Sequence, residues 1–269
     1  MINMESRPER RELMERAQRR LGIELIFISA VDGRDPDAPV VLGNPTGRLT
    51  GRPRSRVDYA VVASHRRCWE RMLTDGDDAA IVLEDDVLLA DDFARFTEPD
   101  WIPEGVDIVK LETIMGYVEV HGRTWNAKVS RHLGRLESLH LGAAGYLITR
   151  GAAIRLLEAT TVPFDPIDHI LFTKTVWDEV GLTVVQADPA PVVQGMYHSD
   201  YSAHGWASSS IQADRDNRGI TMKIERHRQV GGRGGLSARK LLRPKTAMHM
   251  TRWVRSALNG GAYKRIQFG

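Results

Sequence analysis

A chain of 269 residues with 42% hydrophobic content can build one substantial core with appendages, and none of its apolar runs is long enough to span a bilayer. The single cysteine, Cys68, excludes an internal disulfide framework, and the charged start does not read as a secretion signal, so a cytoplasmic protein is expected. The net charge of +2 conceals an asymmetry: residues 221–269 carry twelve Lys/Arg against Glu225, net +11, while residues 1–220 carry 25 against 34 acids, net −9. Such an acidic body fits nucleic acid poorly, whereas the basic tail suits an anionic membrane surface on its inner face.

Taken in chain order, residues 2–4 read as the end of a first strand. Residues 8–21 form a charged helix with Pro8 in its first turn and Gly22 closing it. Residues 24–30 follow as a second strand ending at the turn Asp32-Gly33. Residues 34–56, rich in Gly, Pro and Arg, read as a long mobile loop that is functional or disordered. The sequon-like Asn44-Pro45-Thr46 in that loop is blocked by its proline. A helix over 58–73 leads into an apolar strand over 79–83. Beyond it come a short helix at 91–96, a strand at 107–111 and β-like pieces at 117–120 and 132–136. A strand at 145–149, helices at 151–160 and 168–180, a strand at 183–186 and an extended segment at 189–195 complete the pattern. Alternating strands and helices predict an α/β fold with a mostly parallel central sheet and flanking helices. Residues 1–220 read as the catalytic domain and 221–269 as a basic tail. The run Gly231-Gly232-Arg233-Gly234-Gly235 follows no strand and reads as a hinge, not a phosphate loop.

The strand Ala79-Ala80-Ile81-Val82-Leu83 delivers Glu84-Asp85-Asp86 to its carboxyl end. Three adjacent anions raise one another's pKa unless a cation sits among them. A hard divalent ion, Mn²⁺ or Mg²⁺, holding a substrate phosphate is the economical explanation, a solvated acidic turn the bland one. Glu84 and Asp86, one residue apart, project to the same side of an extended backbone, so both can serve one site, Asp86 directly and Glu84 in support. Asp85 points elsewhere, toward a ribose or a sugar.

These acids stand among further stretches in a fixed order: Ile2-Asn3-Met4 through Arg10-Arg11, Ala30-Val31-Asp32-Gly33, Asp58 through Ser64-His65 to Trp69, Leu141-Gly142-Ala143-Ala144-Gly145-Tyr146, and Pro166-Ile167-Asp168-His169. Together they resemble glycosyltransferase family 25, the lipopolysaccharide-biosynthesis and collagen-galactosyltransferase type, over residues 2 to 211. The resemblance implies a GT-A-like fold and transfer of a sugar, often galactose, from a nucleotide-sugar donor, UDP-linked by preference. The implied acceptor is a saccharide or lipid-linked saccharide. One departure is local: where the family commonly has Gly-Glu-Ile-Gly-Cys, this chain has Val57-Asp58-Tyr59-Ala60-Val61, which keeps an acid and loses the glycines and the cysteine. A metal-dependent phosphoryl or nucleotidyl transferase and a non-catalytic saccharide-binding member are the alternatives.

The resemblance places Ser64 and His65 near the donor, and Asn3 and Arg10 after the first strand, where such a fold receives the nucleotide. A buried packing role for the His and a solvated Arg are the competing readings. Inverting transfer needs a carboxylate to take the acceptor proton. Asp168 is the leading candidate against a helix-capping role, with Asp165 as its competitor. Lys110 either approaches a donor phosphate or pairs with Glu112. His198 is a late metal ligand or an exposed His. In the tail, Met250, Trp253, Val254, Ala257 and Leu258 fall at helical spacing among arginines, which suits a helix lying on an anionic membrane or one packed on the acidic body.

Overall fold

The computed structural model describes residues 1–198 and 244–269. Strands β1 (Ile2–Asn3) and β2 (Ile28–Ser29) pair in parallel across helix α1 (Pro8–Leu21). Pro8 occupies the first turn, where its missing N–H costs nothing, and Gly22 ends the helix in the left-handed conformation at φ 65°. β2 is shorter than the expected 24–30, because β1 offers only two residues to pair with.

Helix α2 (Arg56–Asp75) begins ahead of the expected start because Ser55 and Asp58 form a capping box. Ser55 Oγ accepts the Asp58 N–H at 3.2 Å, and Asp58 Oδ2 accepts the Ser55 N–H at 2.8 Å. Asp58, the acid kept in the departing motif, therefore starts a helix. Strands β3 (Ala79–Leu83), β4 (Val87–Leu89), β5 (Ile108–Lys110), β6 (Glu112–Thr113), β7 (Tyr117–Asn126), β8 (Arg131–Leu136) and β9 (Gly145–Thr149) follow, with a 3₁₀ turn at Phe93–Phe96. Helices α3 (Arg150–Ala159), α4 (Ile167–Phe172) and α5 (Lys174–Val180) lead to β10 (Val184–Asp188) and β11 (Val192–Gln194). The single helix expected over 168–180 is broken at Thr173, whose φ of −113° and ψ of 128° are extended.

The α/β expectation holds, but the mostly parallel sheet is corrected. The seven-stranded sheet runs β12-β7-β8-β10-β5-β9-β3, with β12 at Gly261–Arg265, and among the described residues only β10 with β5 is parallel. The reason is the stretch from β5 to β9, which holds no helix. Without a helical crossover, successive strands turn back antiparallel. A smaller sheet, β4-β11-β6, lies beside it, and an isolated parallel bridge from Ile2 to Glu84 brings β1 against the end of β3.

Central strands are buried on both faces, and their period of two divides the core. Ile108, Tyr146, Ile148 and Val184 face Trp69, Leu156 and Phe172 of the helices on one side. Val109, Leu147 and Val185 face Met14, Phe93, Phe96 and Trp101 on the other.

Up to the start of α2 at Arg56, the 34–56 segment carries no helix or named strand, yet it is tied down. Asp165, fully buried, accepts hydrogen bonds from the Leu49 N–H, the Thr50 N–H and the Thr50 hydroxyl at 2.7, 3.1 and 2.9 Å. Arg56 donates to the carbonyls of Asp35, Pro36 and Ala38.

Helix α6 (Pro244–Leu258) leads into β12, which pairs antiparallel with β7. Ile266 is buried in the main core, and its carbonyl accepts the Thr113 hydroxyl at 2.9 Å. The basic tail thus joins the seven-stranded sheet as its edge strand. The proposed hinge at 231–235 lies outside the described residues, as do 199–243 in general.

Candidate active site

Glu84-Asp85-Asp86 connect β3 to β4, and the Glu84 N–H is fixed by the Ala144 carbonyl at 3.0 Å. The three carboxylates then part ways. Asp85 is buried and accepts from Asn3 Nδ2 at 2.8 Å, from the Met4 N–H at 3.2 Å and from Arg10 Nη1 at 2.9 Å. Its charge is spent on joining β1 and α1 to the acid turn. Asn3 and Arg10, both buried, are held here by Asp85, and Arg10 Nη1 also lies 3.6 Å from Asp86.

Glu84 and Asp86 face a cleft, partly open to solvent, that Arg10, Val31, Asp32, Val57, Ser64 and His65 also line. Ser64 Oγ accepts the Val31 N–H at 2.8 Å and donates to the Ala60 carbonyl at 2.9 Å, which fixes the Asp32-Gly33 turn against α2. Gly33 is needed there, because a Cβ would stand 2.5 Å from Val57 Cα.

His65 is fully buried, and its partners determine its tautomer. Trp69 Nε1 can only donate, and it does so to the Tyr146 hydroxyl at 2.9 Å. Tyr146 in turn donates to His65 Nδ1 at 2.9 Å, leaving His65 Nε2–H directed at Glu84 Oε1, 3.4 Å away. Burial pulls the imidazole pKa down to about 3, so His65 is neutral at ordinary pH. Tyr146→Phe is expected to lower turnover roughly tenfold without unfolding the protein, the scale of losing an outer partner that orients a ligand. Wild-type turnover in that variant would show that Glu84 needs no such orientation.

Residues 141–144 and α4 adjoin the acid turn outside the lining of that cleft. Asp168 is half-buried; its Oδ1 accepts the His169 N–H at 3.0 Å and its Oδ2 the Gly142 N–H at a long 3.5 Å. Its charge is near enough to raise the pKa of Glu84. Asp165 is occupied by the 34–56 segment. Lys110 is fully buried and lies 3.5 Å from Glu112 Oε2, also fully buried. His198 packs edge-on to the Phe268 ring, with 5.6 Å between ring centroids.

Burial and the neighbouring acids push Glu84 up to about 7, and burial with Glu84 pushes Asp86 up to about 7. Between them stands Gln194, whose Nε2 lies 3.5 Å from Glu84 Oε2 and 3.4 Å from Asp86 Oδ1. Among the described residues, no group of three or more His, Cys, Asp or Glu could hold a metal ion. Two adjacent, repelling carboxylates do fit a divalent cation that keeps waters and takes its remaining ligands from substrate phosphates. They do not form an all-protein cage, and His198 does not join them.

Sequence reasoning missed Gln194, Tyr146 and Trp69. A lone Gln at a strand end carries no signal, and the aromatic pair looks like core.

The family described as "Glycosyltransferase family 25 (LPS biosynthesis protein)" matches residues 1–171. The chain is 31% identical over 209 residues to the lacto-N-neotetraose biosynthesis glycosyltransferase LgtE of Neisseria meningitidis serogroup B, covering 72% of this chain and 74% of that protein. It is 30% identical over 230 residues to LgtB of the same organism, also named a lacto-N-neotetraose biosynthesis glycosyltransferase, covering 80% and 82%. With the lipooligosaccharide biosynthesis protein lex-1 of Haemophilus influenzae it shares 27% identity over 215 residues, 76% of this chain and 65% of that one.

Proposed function

The chain belongs to glycosyltransferase family 25, and from that premise we propose that it transfers a hexose, galactose by preference, from a UDP-sugar to a saccharide of lipopolysaccharide or a related surface glycan, inverting the anomeric carbon. The observation that carries this reading is the pair Glu84 and Asp86 in the lining of the cleft, with Asp168 close enough to act on Glu84 electrostatically and tied to the acid turn through the segment holding Gly142 and Ala144. In a GT-A-like arrangement the cleft between β1, β2 and α2 receives the nucleotide. Asp168 takes the proton from the acceptor hydroxyl as that oxygen bonds to the anomeric carbon and the bond to the diphosphate breaks. Glu84 and Asp86 would hold Mn²⁺ or Mg²⁺, which would supply charge neutralisation for the leaving diphosphate. His65 and Gln194 keep the two carboxylates in place. Asp85 and Arg10, already paired, hold β1 and α1 beside them.

A screen of nucleotide sugars with Mn²⁺, reading nucleotide release and product mass against saccharide acceptors, tests this. Release and transfer with UDP-galactose are expected; transfer of a phosphoryl or nucleotidyl group, or binding without turnover, would overturn it.

Helix α6 supports a lipid-linked acceptor. Ser256 is buried and His249 Nδ1 bonds the Tyr263 hydroxyl at 2.9 Å, so this face packs on β12. Trp253, Val254 and Leu258, at 59%, 47% and 81% exposure, form an outward apolar face with Arg252 and Arg255 beside it. On this reading the exposed face rests on the surface of an anionic bilayer; no helix among the described residues is long and apolar enough to cross one. Trp253→Glu with Leu258→Glu is expected to abolish co-sedimentation with acidic vesicles while sparing transfer to a soluble acceptor. Salt should release the native protein from vesicles. Undiminished sedimentation of the variant would remove α6 from the membrane.

A further inference from the structure

The transfer reading leaves the buried pair Lys110 and Glu112 without a task, since neither lines the cleft. Two buried charges are expensive, because desolvation costs several kcal/mol per ion and an apolar pair of similar volume often stabilises equally well. Burial pushes Glu112 up and Lys110 down, so neither charge is comfortable where it stands.

Both side chains reach the same short segment. Lys110 Nζ donates to the Gly142 carbonyl, and Glu112 Oε2 accepts the Ala144 N–H at 2.8 Å. Gly142 has φ 89°, and a Cβ on it would stand 2.6 Å from Glu112 Oε1, so only glycine lets the carboxylate close on the segment. Lys110 Nζ also sits 3.9 Å over the ring of Phe172, on the same helix as Asp168. From behind, Gln186 Nε2 contacts the carbonyls of Lys110 and Glu112 at 3.2 and 3.4 Å, and its Oε1 lies 2.7 Å from His140 Nδ1.

The gripped segment touches both halves of the site. Its Ala144 carbonyl accepts the Glu84 N–H, and its Gly142 N–H points at Asp168 Oδ2. We infer that Lys110 and Glu112 are positioning residues for the transfer step: by clamping residues 141–144 they fix the distance between Asp168 and the Glu84 turn. This rests on the transfer reading above. An ordinary packing pair would stabilise the fold without touching that distance.

The test removes both gripping groups and keeps the bulk, in Lys110→Met/Glu112→Met, and in Lys110→Met alone should the double variant be too unstable. A folded protein is expected, with kcat reduced at least about tenfold and the donor KM nearly unchanged. Added to Asp168→Asn, the same replacement should cost less than about twofold more, because the clamp acts through Asp168. A full additive loss in that background, an intact kcat, or a raised KM with kcat unchanged would overturn the inference. Amide exchange at Gly142 and Ala144 separates it from the transfer reading: even if the native protein transfers no sugar, exchange at least about tenfold faster in the variants supports the clamp, and unchanged exchange overturns it.

Discussion

Replacing Asp86 by Asn is expected to reduce transfer by at least about a hundredfold while leaving the unliganded fold more stable at alkaline pH. Both effects come from the raised pKa values of Asp86 and Glu84, each about 7, against ordinary values near 4 in an unfolded chain. Below pH 4 both groups are protonated in both states, and stability is unaffected. As the pH climbs from 4 to 7 the unfolded chain ionises first, and stability drains until the folded groups ionise as well. Asp86→Asn removes one such group and relieves Glu84, so its melting advantage should grow from pH 4 to pH 8. Binding of the cation and the donor needs both carboxylates ionised, so it should strengthen in the native protein over the same range. Activity should be lost in EDTA and return with Mn²⁺. A fully active variant, or native activity untouched by EDTA, would remove the acid pair from the reaction.

The parts legible in the sequence were those whose pattern is local. Helix α1 carries its own start and stop in Pro8 and Gly22, and β3 and β9 read as apolar runs between turns. The acid triplet stood out because three adjacent carboxylates are costly in almost any setting. Strand direction was not legible, since it depends on whether a helix intervenes, and the weak β-like pieces at 117–136 gave no sign that they pair as a hairpin toward one edge of the sheet. β12 escaped notice because Ala262-Tyr263-Lys264 offers barely one alternation, and its place comes from β7, far away in the chain. The 34–56 segment has loop composition, yet Asp165 organises it from more than a hundred residues away. The alternation that sets Asp85 apart from Glu84 and Asp86 was legible, but the partners that hold each of them, Asn3, Arg10, His65 and Gln194, were not, since only folding brings them together.

Asp168→Asn should slow transfer by about a hundredfold to ten-thousandfold while the donor KM hardly moves, as expected for a proton acceptor that acts on the other substrate. The structure removes the competing role. Helix α4 starts from Pro166 without a side-chain cap, and Asp168 lies within the helix, accepting the N–H of its own neighbour and one long bond from Gly142. An Asn oxygen can accept both, so little stability should be lost and the change in rate can be read directly. Asp165→Asn is the contrasting variant. Its carboxylate is buried and takes hydrogen bonds from three donors in Leu49 and Thr50, and an amide can satisfy fewer of them. It should therefore lose about 1–3 kcal/mol of stability by leaving a buried donor unmatched, with the 34–56 segment loosened. Its turnover per folded molecule should fall far less than that of Asp168→Asn. If the order is reversed, with Asp168→Asn nearly as fast as the native protein and Asp165→Asn folded but inactive, the acceptor proton goes to Asp165, and the 34–56 segment must open for the acceptor to reach it.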